Sequence, residues 1–265
     1  MRGLASGVGV LALFAYSLVW AQAPASPARI LHPWQAPMPA GNAEAYFTNL
    51  KSGDSIETPF LLKFGLSGGW GLAPISKPMG GKSGHHHLLV NRDLPLDFKA
   101  ALPFNEQYIH FGKGQMETVL NLAPGTYTLR MLLADDKHLP HFVYSKPLKV
   151  TITKKNAVDP KSLVKPGLAL MLAGDEQKAP FRVQFHASGL NVAHVAQKEK
   201  DTGHFKLTVT SKSGAVAEMD FVEGQTETWL APPQGEYALK LDFVDNLNPK
   251  QPVTEPASAT VKVLP

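Results

Sequence analysis

Pro124-Gly125-Thr126-Tyr127-Thr128-Leu129-Arg130-Met131-Leu132-Leu133 is the stretch that decides the fold. A Pro-Gly turn leads into a run in which Tyr127, Leu129, Met131 and Leu133 fall at alternate positions, and a strand puts such residues on one face. That face packs onto a second sheet. The preceding Leu122-Ala123-Pro124-Gly125 reads as the turn before a tyrosine corner, where a Tyr hydroxyl bonds to nearby backbone at the edge of a sandwich. Gln234-Gly235-Glu236-Tyr237-Ala238-Leu239 has the same form and continues with Leu241 and Phe243 on the face of Tyr237 and Leu239.

The correspondence runs through most of the chain. Ser52-Gly53-Asp54, Pro59-Phe60, alternating Leu62 and Phe64, and Ser67-Gly68 recur in order as Ala173-Gly174-Asp175, Pro180-Phe181, Val183 and Phe185, and Ser188-Gly189. Gly114-Gln115-Met116-Glu117-Thr118 is answered by Gly224-Gln225-Thr226-Glu227-Thr228. The segments are short, rich in Val, Leu, Phe, Tyr and Thr, and bounded by Gly and Pro, which favours strands. The expectation is an all-β chain of two tandem immunoglobulin-like β-sandwich domains after a signal peptide. Its divisions are a signal peptide at 1–21, a Pro/Ala-rich arm at 22–43 with Trp34 as its docking residue, a first sandwich at 44–154, a polar linker at 155–166 and a diverged second sandwich at 167–265.

The chemistry concentrates in Gly84-His85-His86-His87-Leu88-Leu89-Val90. Its counterpart, Gly203-His204-Phe205-Lys206-Leu207-Thr208-Val209, places Phe205, Leu207 and Val209 inward by alternation and His204, Lys206 and Thr208 outward. The same register makes His85 and His87 neighbours on the outer face, about 6 to 7 Å apart along the backbone, while His86 points to the core. His110 stands where the second copy has Asp220, and His138 and His141 follow Asp135-Asp136-Lys137 in a loop whose counterpart carries Asn248 and Gln251. The second copy keeps the framework and loses nearly all the imidazoles, as expected when the histidines serve a site and not the fold.

Imidazole is the commonest metal ligand and suits zinc and copper, usually with its second nitrogen oriented by a carboxylate or carbonyl, here Asp135 or Asp136. The metal reading uses His85, His87, His110 and His138, with His86 or His141 as substitutes, to hold a copper or zinc ion. Met116 is a further candidate ligand, or core filler. The structural alternative has His86 as a hydrogen-bonded core residue and the others as loop histidines. Gly114, Gln115, Glu117 and Thr118 survive in both copies and are assigned to structure.

Composition bounds the remaining classes. There are no cysteines among the 265 residues, which removes disulfides, thiolate ligands and a thiol nucleophile. The net charge of +4 is scattered and gives no nucleic-acid stripe. Arg2, the apolar run Leu11 to Trp20 and the small residues before Ala21 and Ala23 form a secretory signal pattern, so a periplasmic or secreted protein is expected, with no stable membrane span after cleavage.

Gly84 to Val90, Ile109-His110-Phe111-Gly112-Lys113-Gly114-Gln115-Met116-Glu117-Thr118, and Ala134-Asp135-Asp136-Lys137-His138-Leu139-Pro140-His141 together resemble the DUF4399 family of bacterial exported domains. The resemblance covers about Tyr46 to Thr153 and departs at Met116, where the family usually has Thr. It implies a small exported β-domain with the histidines as its signature, and no established activity. Three functions compete. The first is a metal carrier, buffer or sensor. The second is a structural or interaction module that binds an envelope protein or glycan through loops, with an exposed aromatic patch around Trp70 or Trp229. A metal-dependent enzyme, which needs an open coordination position and a base such as Glu106 or Glu117, ranks last.

Overall fold

A computed structural model describes residues 32–95 and 97–265, so the expected signal segment at 1–21 and the start of the arm lie outside the described residues. The chain forms two tandem immunoglobulin-like β-sandwiches with equivalent strand order. In the first, the large sheet runs Ser55–Thr58, Leu148–Lys155, Gly125–Ala134, Ser83–Val90 and Gly71–Leu72; Tyr108–Phe111 pairs with Ser83–Val90, and Pro140–Tyr144 with Gly125–Ala134. Ala45–Phe47, Phe60–Leu66 and Glu117–Leu120 make the facing sheet.

The second sandwich repeats this with Glu176–Lys178, Ala257–Leu264, Gly235–Asp245, Thr202–Ser211 and Asn191–Val192, joined by Val216–Asp220. Gly167–Met171, Phe181–Ser188 and Glu227–Leu230 face them. A short helix, Pro160–Leu163, lies between the repeats and is capped by the Asp159 side chain, which accepts from the Lys161 amide. Among the described residues no helix is long and apolar enough to cross a membrane.

Alternation builds the core as expected. Leu129, Met131 and Leu133 are fully buried on one face of their strand, and Leu239, Leu241 and Phe243 on the equivalent one. Both tyrosine corners form, with Tyr127 donating to the Ala123 carbonyl at 3.0 Å and Tyr237 to the Pro233 carbonyl at 2.8 Å. Trp34 docks edge-on against Tyr237 at 5.4 Å, and Gln35–Ala36 behind it joins the second sandwich as a short strand beside Glu227–Leu230. The arm before the first repeat therefore lies on the second, because that sheet has an edge to satisfy.

The two repeats share one continuous hydrophobic core within the single compact unit Leu31–Pro265. Their seam has pseudo-twofold symmetry. The Val192 amide donates to the Gly114 carbonyl at 2.9 Å, and the Leu72 amide to the Gly224 carbonyl at 2.8 Å. Gly114 and Gly224 have φ of 90° and 76°, and a Cβ on either would stand 2.0 or 2.3 Å from the partner repeat's carbonyl oxygen, so only glycine fits.

Glu117 accepts from the Ser188 hydroxyl at 2.7 Å and the Gly189 amide at 3.0 Å, with His186 Nε2 at 3.1 Å; in mirror fashion Glu227 accepts from the Gly68 amide at 3.0 Å and pairs with Arg182. Burial raises the Glu117 carboxyl, but the bonds from His186, Ser188 and Gly189 together hold it below its ordinary value. Burial dominates at Glu227 and leaves it raised despite Arg182. The glutamates kept in both copies thus hold the repeats to each other.

Candidate metal centre

The histidine strand, Ser83–Val90, is buried along its whole length, because both faces of the sheet are covered at that point. On the inner face, Leu88 and Val90 enter the shared core and His86 lies edge-on to Phe64 at 4.9 Å. On the outer face, Leu89 packs with Leu102, Leu132 and Ala134 in a second small core. The cover comes from residues 91–95 and 97–107, in the connection between the histidine strand and Tyr108–Phe111; residues 212–215 make the same connection in the second repeat. His85 and His87 therefore sit on the outer face but are only 0% and 1% exposed.

Cross-strand register assembles the rest. His110 lies directly opposite His87, just as Asp220 lies opposite Lys206 in the second repeat. His138 arrives from the turn after Ala134, with a left-handed φ of 62°. That turn is held by Asp135, whose Oδ1 accepts from the amides of Lys137 and Leu139 at 2.9 and 2.8 Å and whose carbonyl accepts from the His138 amide. Asp135 serves the turn, and its charge also reaches His141, where it opposes the lowering by burial. The His138 carbonyl accepts from the Leu102 amide at 2.9 Å, which ties the turn to the covering segment.

The outcome is a four-ring cluster. The six centroid separations among His85, His87, His110 and His138 all fall between 4.7 and 5.6 Å. His85 and His87 bring their Nε2 atoms to 2.9 Å, and nitrogens of His85, His110 and His138 lie within 4.8 Å of one another. No carboxylate belongs to this set of mutually close ligand atoms among the described residues. Phe104, 62% exposed, caps the cluster edge-on, 4.9 Å from the His110 ring and 4.5 Å from that of His138. Gly112 makes room for His110, since a Cβ there would stand 2.6 Å from His110 Nε2.

Nδ1 of His85 and His87 and Nε2 of His110 and His138 are buried without a hydrogen-bond partner. Leaving such groups unmade costs about 1 to 3 kcal/mol each. Burial, with the charges of His110 and His138 adding to it, pushes His85 down to about 3, and burial with the charges of His85 and His110 pushes His87 to about 2. Burial and then His138 also lower His110. Neutral imidazoles are the form that binds a cation.

The other sequence candidates lie elsewhere. His86, with both ring nitrogens unpartnered, is pushed to about 3 by burial in the core. His141 packs against Trp70 at 4.7 Å and bonds to the Ser83 backbone. Met116 is buried in the shared core. Trp70 and Trp229 are only partly exposed, whereas among the described residues Phe104 and Phe142 are strongly exposed. Sequence reasoning missed Phe104, Gly112 and the covering segment. The long unmatched stretch between the aligned strands, with its Leu94-Pro95 and Leu102-Pro103-Phe104, was the available signal.

Two tandem sandwiches, one carrying a cluster of two buried and two partly exposed imidazoles, define the class. The chain belongs to the DUF4399 family, a domain of unknown function whose pattern matches residues 62–153 and again 183–264. No curated protein matches the chain significantly. Similar solved structures include the fibronectin(III)-like modules of Clostridium thermocellum CbhA, at 12% identity and TM-score 0.27, covering 83% of this chain and 93% of that one. A two-domain fibronectin type III segment of chicken tenascin also matches, at 12% identity and TM-score 0.23, covering 84% and 100%. At such TM-scores these likenesses carry no functional argument.

Proposed function

We propose that the protein is an exported metal-binding protein, a carrier, buffer or sensor, holding one copper or zinc ion between His85, His87, His110 and His138. The observation that carries this is the near-equality of the six ring separations, 4.7 to 5.6 Å. Four imidazoles ligating one ion tetrahedrally at 2.0–2.1 Å would have centroids about 5.1 Å apart. The Nε2 pair of His85 and His87, at 2.9 Å, needs only a few tenths of an ångström of opening to reach about 3.3 Å, the nitrogen spacing of such a site. Four protein ligands leave no open position for substrate, which favours holding the ion over catalysis. Export fits the signal-like opening sequence.

The test is titration of chelator-stripped protein, free of a polyhistidine tag, with copper and zinc. One equivalent is expected to bind, and His85→Ala/His87→Ala is expected to lose it. Binding no tighter than in that variant would overturn the reading. A second reading, an interaction module for an envelope protein or glycan, draws on Phe142, which is 75% exposed and stacked flat on Phe98 at 4.3 Å. It predicts that Phe142→Ala abolishes partner capture while metal binding persists.

A further inference from the structure

We infer that the ion this site selects is monovalent copper, held in preference to Zn²⁺ and Cu²⁺ by a tetrahedral, uncharged and water-excluding cage. The inference rests on the four-histidine reading above and adds the identity and charge of the occupant. Imidazole by itself suits zinc and both copper states, so geometry and electrostatics must decide.

Geometry comes first. Cu²⁺ prefers square-planar or tetragonal surroundings, whereas Cu⁺ and Zn²⁺, with filled d shells, accept a tetrahedron. Four imidazoles in a plane would put neighbouring centroids about 4.5 Å apart and opposite ones about 6.3 Å apart. The longest separation in the cluster is 5.6 Å and the shortest 4.7 Å, so no pair is set across a plane. The rings cannot flatten easily. His85 and His87 are fixed on one fully buried strand, and His110 is hydrogen-bonded in register beside it.

Charge then separates Cu⁺ from Zn²⁺. The cost of moving an ion out of water rises with the square of its charge, and a site offsets it with anionic ligands or retained water. Among the described residues the first device is missing. No carboxylate joins the close ligand set, there is no cysteine in the chain, and the nearest candidate, Asp135, is committed to the Lys137 and Leu139 amides. Phe104 sets a hydrocarbon ring edge-on against His110 and His138, the two partly exposed imidazoles, whose Nε2 atoms are nonetheless buried. A divalent ion would keep its second positive charge uncompensated beside Leu89, Leu102 and Leu132. A monovalent ion carries a quarter of that burden.

The test is chelator competition on the wild-type chain, His110→Ala/His138→Ala and Phe104→Ser, run for Cu⁺ anaerobically with a reductant and a chromogenic Cu⁺ chelator, and for Zn²⁺ and Cu²⁺ in separate titrations without reductant, each with its own indicator chelator. The expected result is Cu⁺ bound at least about 100-fold more tightly than either divalent ion, with all tight binding lost in the double histidine variant. Phe104→Ser, which admits water, should keep the site but narrow the Cu⁺ preference by about tenfold. Zn²⁺ or Cu²⁺ binding as tightly as Cu⁺, and lost in the double variant, would overturn the assignment of the ion while leaving the four-histidine site standing. A preference unchanged in Phe104→Ser would overturn the water-excluding part. No ion binding more tightly than in the double variant would overturn the site itself.

Discussion

His85 and His204 occupy the same position of the same strand in two copies of one fold, yet their surroundings differ in kind. His204 is buried with both ring nitrogens engaged, Nδ1 with Asn246 at 2.6 Å and Nε2 with Asp220 at 3.0 Å. Asn246 is itself held by the His194 carbonyl and by Lys198. His85 faces His87, His110 and His138, with Nδ1 unpartnered. The second repeat shows that the framework can bury an imidazole at this point with its hydrogen bonds made by an amide and a carboxylate. The first repeat has His110 in place of Asp220 and Asp136 in place of Asn246, and sets Phe104 over the resulting imidazoles. Stability alone does not explain that exchange, and a ligand would.

The sharpest way to break the comparison is to remove the equivalent residues. His110→Ala/His138→Ala should weaken metal binding by at least about 100-fold, since two of four ligands are lost, while His204→Ala should leave affinity unchanged; calorimetric titration of both decides it. If His204→Ala weakened binding equally, the two repeats would not differ as described.

Acid should destabilise the metal-free protein through the first repeat. His85, His86 and His87 have folded values of about 3, 3 and 2, all depressed below the unfolded value. The unfolded chain therefore binds more protons than the folded one between about pH 6.5 and pH 3, so stability is intact above that window and falls as pH is lowered through it. Each group contributes up to about 1.4 kcal/mol per pH unit. Urea unfolding at pH 7, 6 and 5 should show this loss, and His86→Leu should remove about a third of it if the protein still folds. A pH-independent midpoint would contradict the burial of three neutral imidazoles.

Smaller effects test the seam. Glu117→Gln should cost about 1 to 3 kcal/mol in unfolding free energy, because it weakens acceptance from Ser188, Gly189 and His186 together. Glu227→Gln should cost a similar amount by leaving Arg182 without its partner. A second unfolding transition in either variant would show that the repeats had been uncoupled. Smallest are Tyr127→Phe and Tyr237→Phe, expected at about 1 kcal/mol each and nearly equal, since both hydroxyls reach a carbonyl four residues upstream.

Much of the architecture could be read in the sequence because it follows from period-two alternation. Tyr127, Leu129, Met131 and Leu133 define a buried face, and the aligned Gly84 and Gly203 set the register that turns His85 and His87 to one side and His86 to the other. What alternation cannot give is anything that depends on contacts distant in sequence. Residues 91–107 have no periodic pattern, so their role as a cover, and that of Phe104 as a cap, emerged only with the fold. The glutamates of the repeated Gly-Gln-Xaa-Glu-Thr motif were legible as structural, but the partners across the seam were not, because Glu117 and Ser188 lie in different repeats. Likewise Gln35–Ala36 is too short and irregular to read as a strand before the sheet that it joins is known.

X-ray absorption spectroscopy on the protein loaded with one equivalent of metal tests the four-histidine centre most directly. Four nitrogen neighbours at about 2.0 Å with the outer-shell scattering of imidazole rings, and no oxygen-rich six-coordinate shell, are expected. A shell dominated by oxygen, or by fewer than three imidazoles, would mean that the ion rests on the protein surface and that the cluster is not its site.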